Sequence, residues 1–406
     1  MTQLRLAVRN LLRAPRRTLL TMSAVIAGVG VFILGKGFVN GLSENIIVAA
    51  IEDTVGHVMA RPADYPIQFG RHPVDALLEI PPGARALLDR EAAAWTERTY
   101  FAPIAASGSD SLRAVGIGYD PVRDPEVFSR KHWKLQGRMP EPEAHEVTVS
   151  PRVARLLSLE VGSSLILQVR THRGAMNALE VRVSGILNTQ NSALDLFGIF
   201  VPQQLTRELL ATDLASHLHV HLRAREQAAA FASALRPQLG AAASVVTYLE
   251  ESADLLALQE VRRRALDLIM VILMALAAFG IANTILMAAY ERVREIGTLR
   301  ALGMTESGVL RLFMLEGALV GVVGSLLGAA WGSALTGYWA RNPIDFSRSL
   351  EPTGQSASVS VLVYTYPSVS VAVVSIVVGI GVALVASIFP ARVASRMTPA
   401  DAVRAT

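Results

Sequence analysis

Cysteine is absent from all 406 residues. Its absence excludes both a disulfide framework and a lipid-bearing cysteine, so any folded domain is held by its core alone. Charge is scarce: Asp, Glu, Lys and Arg make up 18% of the chain, against roughly 25% in an ordinary soluble domain. Complete GxSxG, HExxH and paired-carboxylate signatures are missing too. The nearest approach to a phosphate loop is Gly30-Val31-Phe32-Ile33-Leu34-Gly35-Lys36-Gly37. There glycine replaces the hydroxyl that would bind magnesium, and no strand precedes the segment. Nothing reads as catalytic, and no cofactor or metal is expected on this chain.

What the chain has in quantity is apolar length. Four runs, Thr18–Leu42, Leu266–Tyr290, Val309–Tyr338 and Pro367–Pro390, each exceed the roughly 20 residues that a helix needs to cross a bilayer. Residues 43–262 carry too many charges and turn residues to lie in lipid. The expected fold class is therefore an α-helical membrane protein with four transmembrane helices and a large extracytoplasmic α+β domain between helices 1 and 2. The first run is too long for the 7–15-residue core of a secretory signal and is read as an uncleaved span.

The net charge of +4 reflects topology rather than nucleic-acid binding. Arg5, Arg9, Arg13, Arg16 and Arg17 precede the first run, Arg292, Arg294 and Arg300 lie between the second and third, and Arg392, Arg396 and Arg404 follow the fourth. The positive-inside rule puts these segments, and both termini, in the cytoplasm. Residues 1–17 then form a cytoplasmic amphipathic helix, 291–305 a cytoplasmic segment, 341–366 a short outer loop and 391–406 a cytoplasmic tail. In residues 2–15, Leu4, Ala7, Val8, Leu11 and Leu12 share a helical face, which suits a position along the inner leaflet.

Between the first two runs, period-two patterns place strands at Val55–Arg61, Leu112–Ile117, Glu146–Ser150 and His217–Arg223, and a hairpin at Ser164–Arg170 and Leu179–Ile186. Helical patterns cover Arg152–Ser158 and Arg225–Gln238, and a polar helix over Glu250–Arg264 runs into the second span. His217, His219 and His221 share a strand face, which is read as solvated rather than metal-binding because no carboxylates accompany them.

Glu291–Thr305 is charged and helix-forming, with Gly303 as its stop. Ile296, Leu299 and Leu302 recur every third residue. The residue pattern fits two readings equally: a face docked in a partner's groove, or a short loop held by its own charge pairs. In the third run Gly317, Gly321, Gly324, Gly328 and Gly332 allow close helix approach, either in a dimer or against the second span; Gly37 and Gly41 offer the same in the first. Glu316, just inside the third run, needs a partner, with Arg311 or a neighbouring helix end expected. Lys36 is expected to extend towards the outer headgroups.

The segment Glu291–Gly332, "ERVREIGTLRALGMTESGVLRLFMLEGALVGVVGSLLGAAWG", resembles the permease domain shared by FtsX, MacB and LolC/LolE proteins. These are membrane subunits of type VII, mechanotransmission, ABC transporters. The resemblance extends to Arg5–Met22, to Phe389–Thr406, and to "GHV" (Gly56–Val58), "LQGRMP" (Leu135–Pro140) and "LSLEVGSSLIL" (Leu157–Leu167). It implies a MacB-like periplasmic core domain and a coupling helix over Arg294–Gly303 that docks on a separate cytoplasmic ABC ATPase dimer, where ATP and Mg²⁺ would bind. Carried over, Ile296, Leu299 and Leu302 fill the groove, Arg294, Glu295 and Arg300 set register, and Gly297, Thr298 and Ala301 complete the contact. It further implies a second permease subunit, identical or paralogous, in the bacterial inner membrane. With about seventeen residues ahead of the first span, an ATPase on another polypeptide is expected. Layout and the "GHV" opening look most like LolC/LolE, implying lipoprotein release, with Val29–Asn45 and Leu256–Ala275 lining an entrance for acyl chains. The rivals are an efflux permease with a periplasmic adaptor and an FtsX-like regulator of a cell-wall hydrolase.

Overall fold

The computed structural model describes residues 2–13, 15–66, 72–345 and 362–396. Most of the expected outer loop 341–366, including Arg348, and most of the tail 391–406 lie outside these residues.

The chain divides into two compact units. The first comprises residues 1–44, 257–344 and 363–406, and the second residues 45–256 and 345–362. The elements of the first unit are α1 (Thr2–Arg13), most of α2 (Pro15–Ala49), most of α10 (Ala253–Glu291), α11 (Val293–Ala301), α12 (Glu306–Arg341) and α13 (Val369–Ser395). Four of these helices, α2, α10, α12 and α13, are long and apolar enough to cross a membrane. Pro15 is the first residue of α2, where its missing N–H costs nothing. Thr305 caps α12, its hydroxyl accepting from the Gly308 amide at 3.2 Å. Inside the unit Val25 and Val29 of α2, Ile281 and Ile285 of α10, Phe313 and Val320 of α12, and Ala383 of α13 form one core. Outward, Leu20, Val271, Phe279 and Val377 are each more than 60% exposed. That is a poor surface in water and an ordinary one in hydrocarbon.

The second unit is built on a twelve-stranded sheet. Its strands are β1 (Val58–Pro62), β2 (Ala94–Phe101), β3 (Ile104–Ser107), β4 (Asp110–Arg113), β5 (Val115–Tyr119), β6 (Lys134–Gly137), β7 (Glu146–Val149), β8 (Ser164–Arg170), β9 (Met176–Asn188), β10 (Gly198–Pro202), β11 (His217–His221) and β12 (Ala243–Thr247). Their order is β12-β1-β11-β2-β5-β10-β7-β9-β8-β3-β4, with β6 on β9. Helices α3 (Pro82–Glu91), α4 (Asp124–Val127), α5 (Pro151–Leu156), α6 (Ser192–Phe197), α7 (Gln203–Leu210), α8 (Ala228–Leu239) and α9 (Tyr248–Glu251) complete it. There are two main cores. One packs α3 and α8 on β1, β11 and β12 around Leu88, Val220 and Leu235; the other packs α5 and α7 on β7, β8 and β9 around Val153, Leu165 and Leu209.

Several elements differ from the sequence expectations. The first long helix continues past Leu42 to Ala49 and a wider π turn, Ala50–Thr54, so the strand expected at Val55 starts at Val58. The strand expected over Leu112–Ile117 is two, because the chain turns at Ala114 between β4 and β5. The helix expected over Arg225–Gln238 opens with one 3₁₀ turn, Arg225–Gln227, before α8. The histidine face is not solvated. β11 lies between β1 and β2, and His217 and His219 are 5% and 0% exposed, packed against Tyr100 and Phe128. Among the described residues no group of three or more His, Asp or Glu could hold a metal.

Candidate coupling site

α11 is a nine-residue helix between two long membrane helices. It begins after Arg292, whose backbone (φ −109°, ψ 22°) breaks the helical path of α10. It ends at Gly303 (φ 98°), a left-handed conformation that L side chains adopt only with strain. Arg300 ties that end down, donating to the Ser395 carbonyl at 3.3 Å and pairing with Glu306 at 3.2 Å.

The three apolar residues spaced three apart do not share one environment. Ile296 is 4% exposed and belongs to the membrane core with Val309 and Phe313. Leu299 is half-buried, and Leu302 is 81% exposed. A step of three residues turns a helix by about 300°, so a run of threes drifts off a single face. Gly297 is buried beside Ile296, whereas Arg294, Glu295, Thr298, Ala301, Leu302 and Gly303 lie open and Arg300 is half-buried. The outward surface is thus mainly polar with Leu302 as its large apolar member, and Ile296 is corrected from groove filler to internal anchor.

The glycine stripe of α12 is spent inside the chain. Added Cβ atoms at Gly317 and Gly321 would meet Ser387 and Ala383 of α13; at Gly324, Gly328 and Gly332 they would meet Val25, Ile26 and Gly30 of α2. At Gly328 the clash is with the Ile26 carbonyl oxygen at 2.7 Å. Each step of four advances about 40° around the helix, which moves the stripe from one neighbour to the next. Gly37 and Gly41 likewise face Thr336 and the Tyr364 carbonyl. These small residues seat helices of one chain, and the stripe leaves no open face for a second copy.

Two charged side chains also find partners other than those expected. Glu316 accepts from Asn10 at 2.7 Å and pairs with Arg292 at 3.5 Å, rather than with Arg311. Lys36 pairs with Asp267 of α10 instead of extending outward. That pair stands at a groove of about 910 Å³ between α2, α10 and α13, walled by Phe32, Met270, Met274, Val374 and Val378.

Within the second unit, the segments that lead out of α2 and into α10 are adjacent. β1 and β12 pair antiparallel with Val58 opposite Thr247, and the Tyr248 amide donates to the His57 carbonyl at 3.2 Å. The π turn is fastened from below. Arg98 donates to the Asp53 carbonyl at 2.9 Å, and Trp133 and Asn191 donate to the Asp53 carboxylate at 3.4 and 3.3 Å. Arg98 has no solvent access and pairs bidentately with Asp124 at 2.7 and 3.1 Å. Although burial opposes it, this pairing keeps the Asp124 carboxyl below its ordinary value. His219 donates from Nδ1 to the Val55 carbonyl at 3.0 Å, and His57 accepts the Leu222 amide at 2.9 Å. Burial pushes these imidazoles down, to about 3 for His219 and about 4 for His57. Arg98, Asp124 and Asp53 belong to no motif; the signal for them in the sequence is an arginine amid the β-forming run Thr96–Phe101.

Comparison with known proteins agrees with this architecture. Residues 18–238 match the MacB-like periplasmic core domain, and residues 268–399 the FtsX-like permease C-terminal family. The chain is 23% identical to the lipoprotein-releasing system transmembrane protein LolC of Xylella fastidiosa, over 97% of this chain and 96% of that protein. It is 31% identical to the macrolide export ATP-binding/permease protein MacB of Burkholderia cenocepacia, over 39% of this chain and 20% of that protein. The extracellular domain of the noncanonic ABC-type transporter YknZ from Gram-positive bacteria aligns with a TM-score of 0.34 at 15% identity, covering 47% of this chain and 98% of that domain. The protein is a multi-pass ABC transporter permease with a large domain between its first and second spans, and it belongs to the FtsX-like permeases that carry a MacB-like periplasmic core domain.

Proposed function

We propose that this permease passes ATP-driven movement from a separate cytoplasmic ATPase dimer to its periplasmic domain, and that it releases lipoproteins from the outer leaflet of the inner membrane. The observation that carries the cargo is the end-to-end relationship to LolC, with no large segment unmatched on either side. In this reading both termini and α11 are cytoplasmic, and the exposed residues Arg294, Thr298, Ala301 and Leu302 meet the ATPase, which holds ATP and Mg²⁺. A second permease subunit, identical or paralogous, pairs through outward apolar helix faces rather than through the α12 glycines.

Closing of the ATPase dimer displaces α11. The helices on either side of the domain, α2 and α10, carry the displacement to β1 and β12, whose pairing makes them respond together. The groove beside Lys36 and Asp267 offers apolar walls to acyl chains, each buried methylene contributing about 0.8 kcal/mol.

The test is purification of the full chain with its ATPase in lipid nanodiscs, followed by mass spectrometry of what accompanies it. Triacylated peptides are the expected result. A periplasmic adaptor with no lipopeptide would favour efflux, to which the local MacB identity points; a cell-wall hydrolase would favour a regulatory role.

A further inference from the structure

Glu316 is 5% exposed in the third turn of α12, inside a helix that reads as membrane-spanning. A carboxylate there is expensive unless its partners are built in. Asn10 of α1 donates its side-chain amide to Glu316 Oε1 at 2.7 Å, and Arg292 Nη1 reaches the same oxygen at 3.5 Å. Arg292 Nη2 closes the triangle, donating to the Asn10 carbonyl at 3.0 Å. A cavity of only about 60 Å³ remains among these groups and Thr18, Thr21 and Thr284.

The position of Arg292 gives the triangle its meaning, since this is the residue at which α10 stops and α11 starts. One turn further along both helices, Arg13 of α1 pairs with Glu295 of α11 at 3.4 Å. That outer pair is exposed and contributes little by itself. The inner triangle is different, because its shared acceptor is buried: losing the Glu316 carboxylate strips both Asn10 and Arg292 of a partner, and losing the Asn10 side chain leaves Glu316 with the longer 3.5 Å contact to Arg292. A helix that merely lay on the inner leaflet would be held by its apolar face and its arginines, with no need to spend an asparagine side chain and carbonyl on the α10–α11 joint.

We propose that Glu316 is a positioning residue that clasps α1 to the α10–α11 joint, making α1 a second arm of the coupling element. Movement of α11 is then passed to α1 and α12 as well as along α10. That α11 receives the input rests on the proposed function; the clasp itself does not.

Because the chain has no cysteine, spin labels can be placed without background. Full-length protein in nanodiscs, without ATPase, would carry labels at Arg9→Cys and Thr298→Cys to report α1 against α11. A second pair, Thr298→Cys and Ser307→Cys, reports α11 against α12. The native background should give one narrow distance for each pair. Glu316→Ala and Asn10→Ala should at least double the width of the first distribution and leave the second unchanged. Glu316→Gln, which still accepts from Asn10, should keep the first narrow. An unchanged first distance, or equal broadening of both, overturns the clasp. Should Glu316→Ala fail to fold, Asn10→Ala decides alone, because it leaves the Glu316–Arg292 pair in place. Failure of α11 to bind an ATPase would sink the coupling reading without touching these distances.

Discussion

Arg98 shows how one side chain can set a junction. It is wholly buried, stacks on Phe128 at 3.5 Å, holds Asp124 with two bonds and still has a nitrogen for the Asp53 carbonyl. Arg98→Met would leave Asp124 with Arg130 alone, at a cost of about 3–5 kcal/mol. The change should also loosen the π turn, and because Trp133 donates to Asp53, tryptophan fluorescence during denaturant unfolding reports both effects. The buried imidazoles make a second prediction. A histidine near 4 or 3 in the fold and 6.5 when unfolded contributes stability above pH 6.5, and this is lost as pH falls from 6.5 towards the folded value. His72, His217 and His221 shift in the same direction, while Asp53, Glu97 and Asp195, pushed up by burial, oppose them. The histidines outnumber the acids, so the domain should lose stability as pH falls from 6.5 to about 4.5, at about 1.4 kcal/mol per pH unit for each uncompensated protonation. A thermal midpoint that stays flat across that window would contradict the neutral assignment.

At the scale of elements, α11 shows what a sequence reveals and what it withholds. Its existence was legible, because charges, helix formers and Gly303 bracket it between two apolar runs. The burial of its residues was not. Ile296, Leu299 and Leu302 look equivalent in a list of spacings, and only the packing of α12 and α13 decides which one turns inward. The same holds for the α12 glycines, whose spacing announces close approach but not which helix approaches. The four spans were legible because hydrocarbon thickness fixes their length, whereas the split at Ala114 and the buried β11 histidines depend on long-range strand order. Ile296→Asp should cost about 3 kcal/mol or more through lost apolar burial and a carboxylate placed in the core, and should lower yield and thermal stability. Leu302→Asp, at an exposed position, should leave stability within about 0.5 kcal/mol while weakening capture of the ATPase. Retained capture by a folded Leu302→Asp variant would remove that face from the interface.

At the scale of the whole molecule, the coupling mechanism depends on which side of the membrane each unit occupies. On the proposed topology, α1 and α11, which lie beside the arginines at Arg5–Arg17 and Arg292–Arg300, are cytoplasmic, and the single crossing made by α2 then puts the sheet domain outside. The cysteine-free background makes this directly testable. Ser109, in the exposed turn between β3 and β4, and Thr298, on the open side of α11, are both accessible in the fold. Neither change should disturb it, since the Thr298 hydroxyl only bonds the Arg294 carbonyl of its own helix. In spheroplasts an impermeant maleimide should label Ser109→Cys at once and reach Thr298→Cys only after lysis. The reverse pattern would put α11 where no nucleotide is available to drive it, and force transmission through α2 and α10 would then have no source.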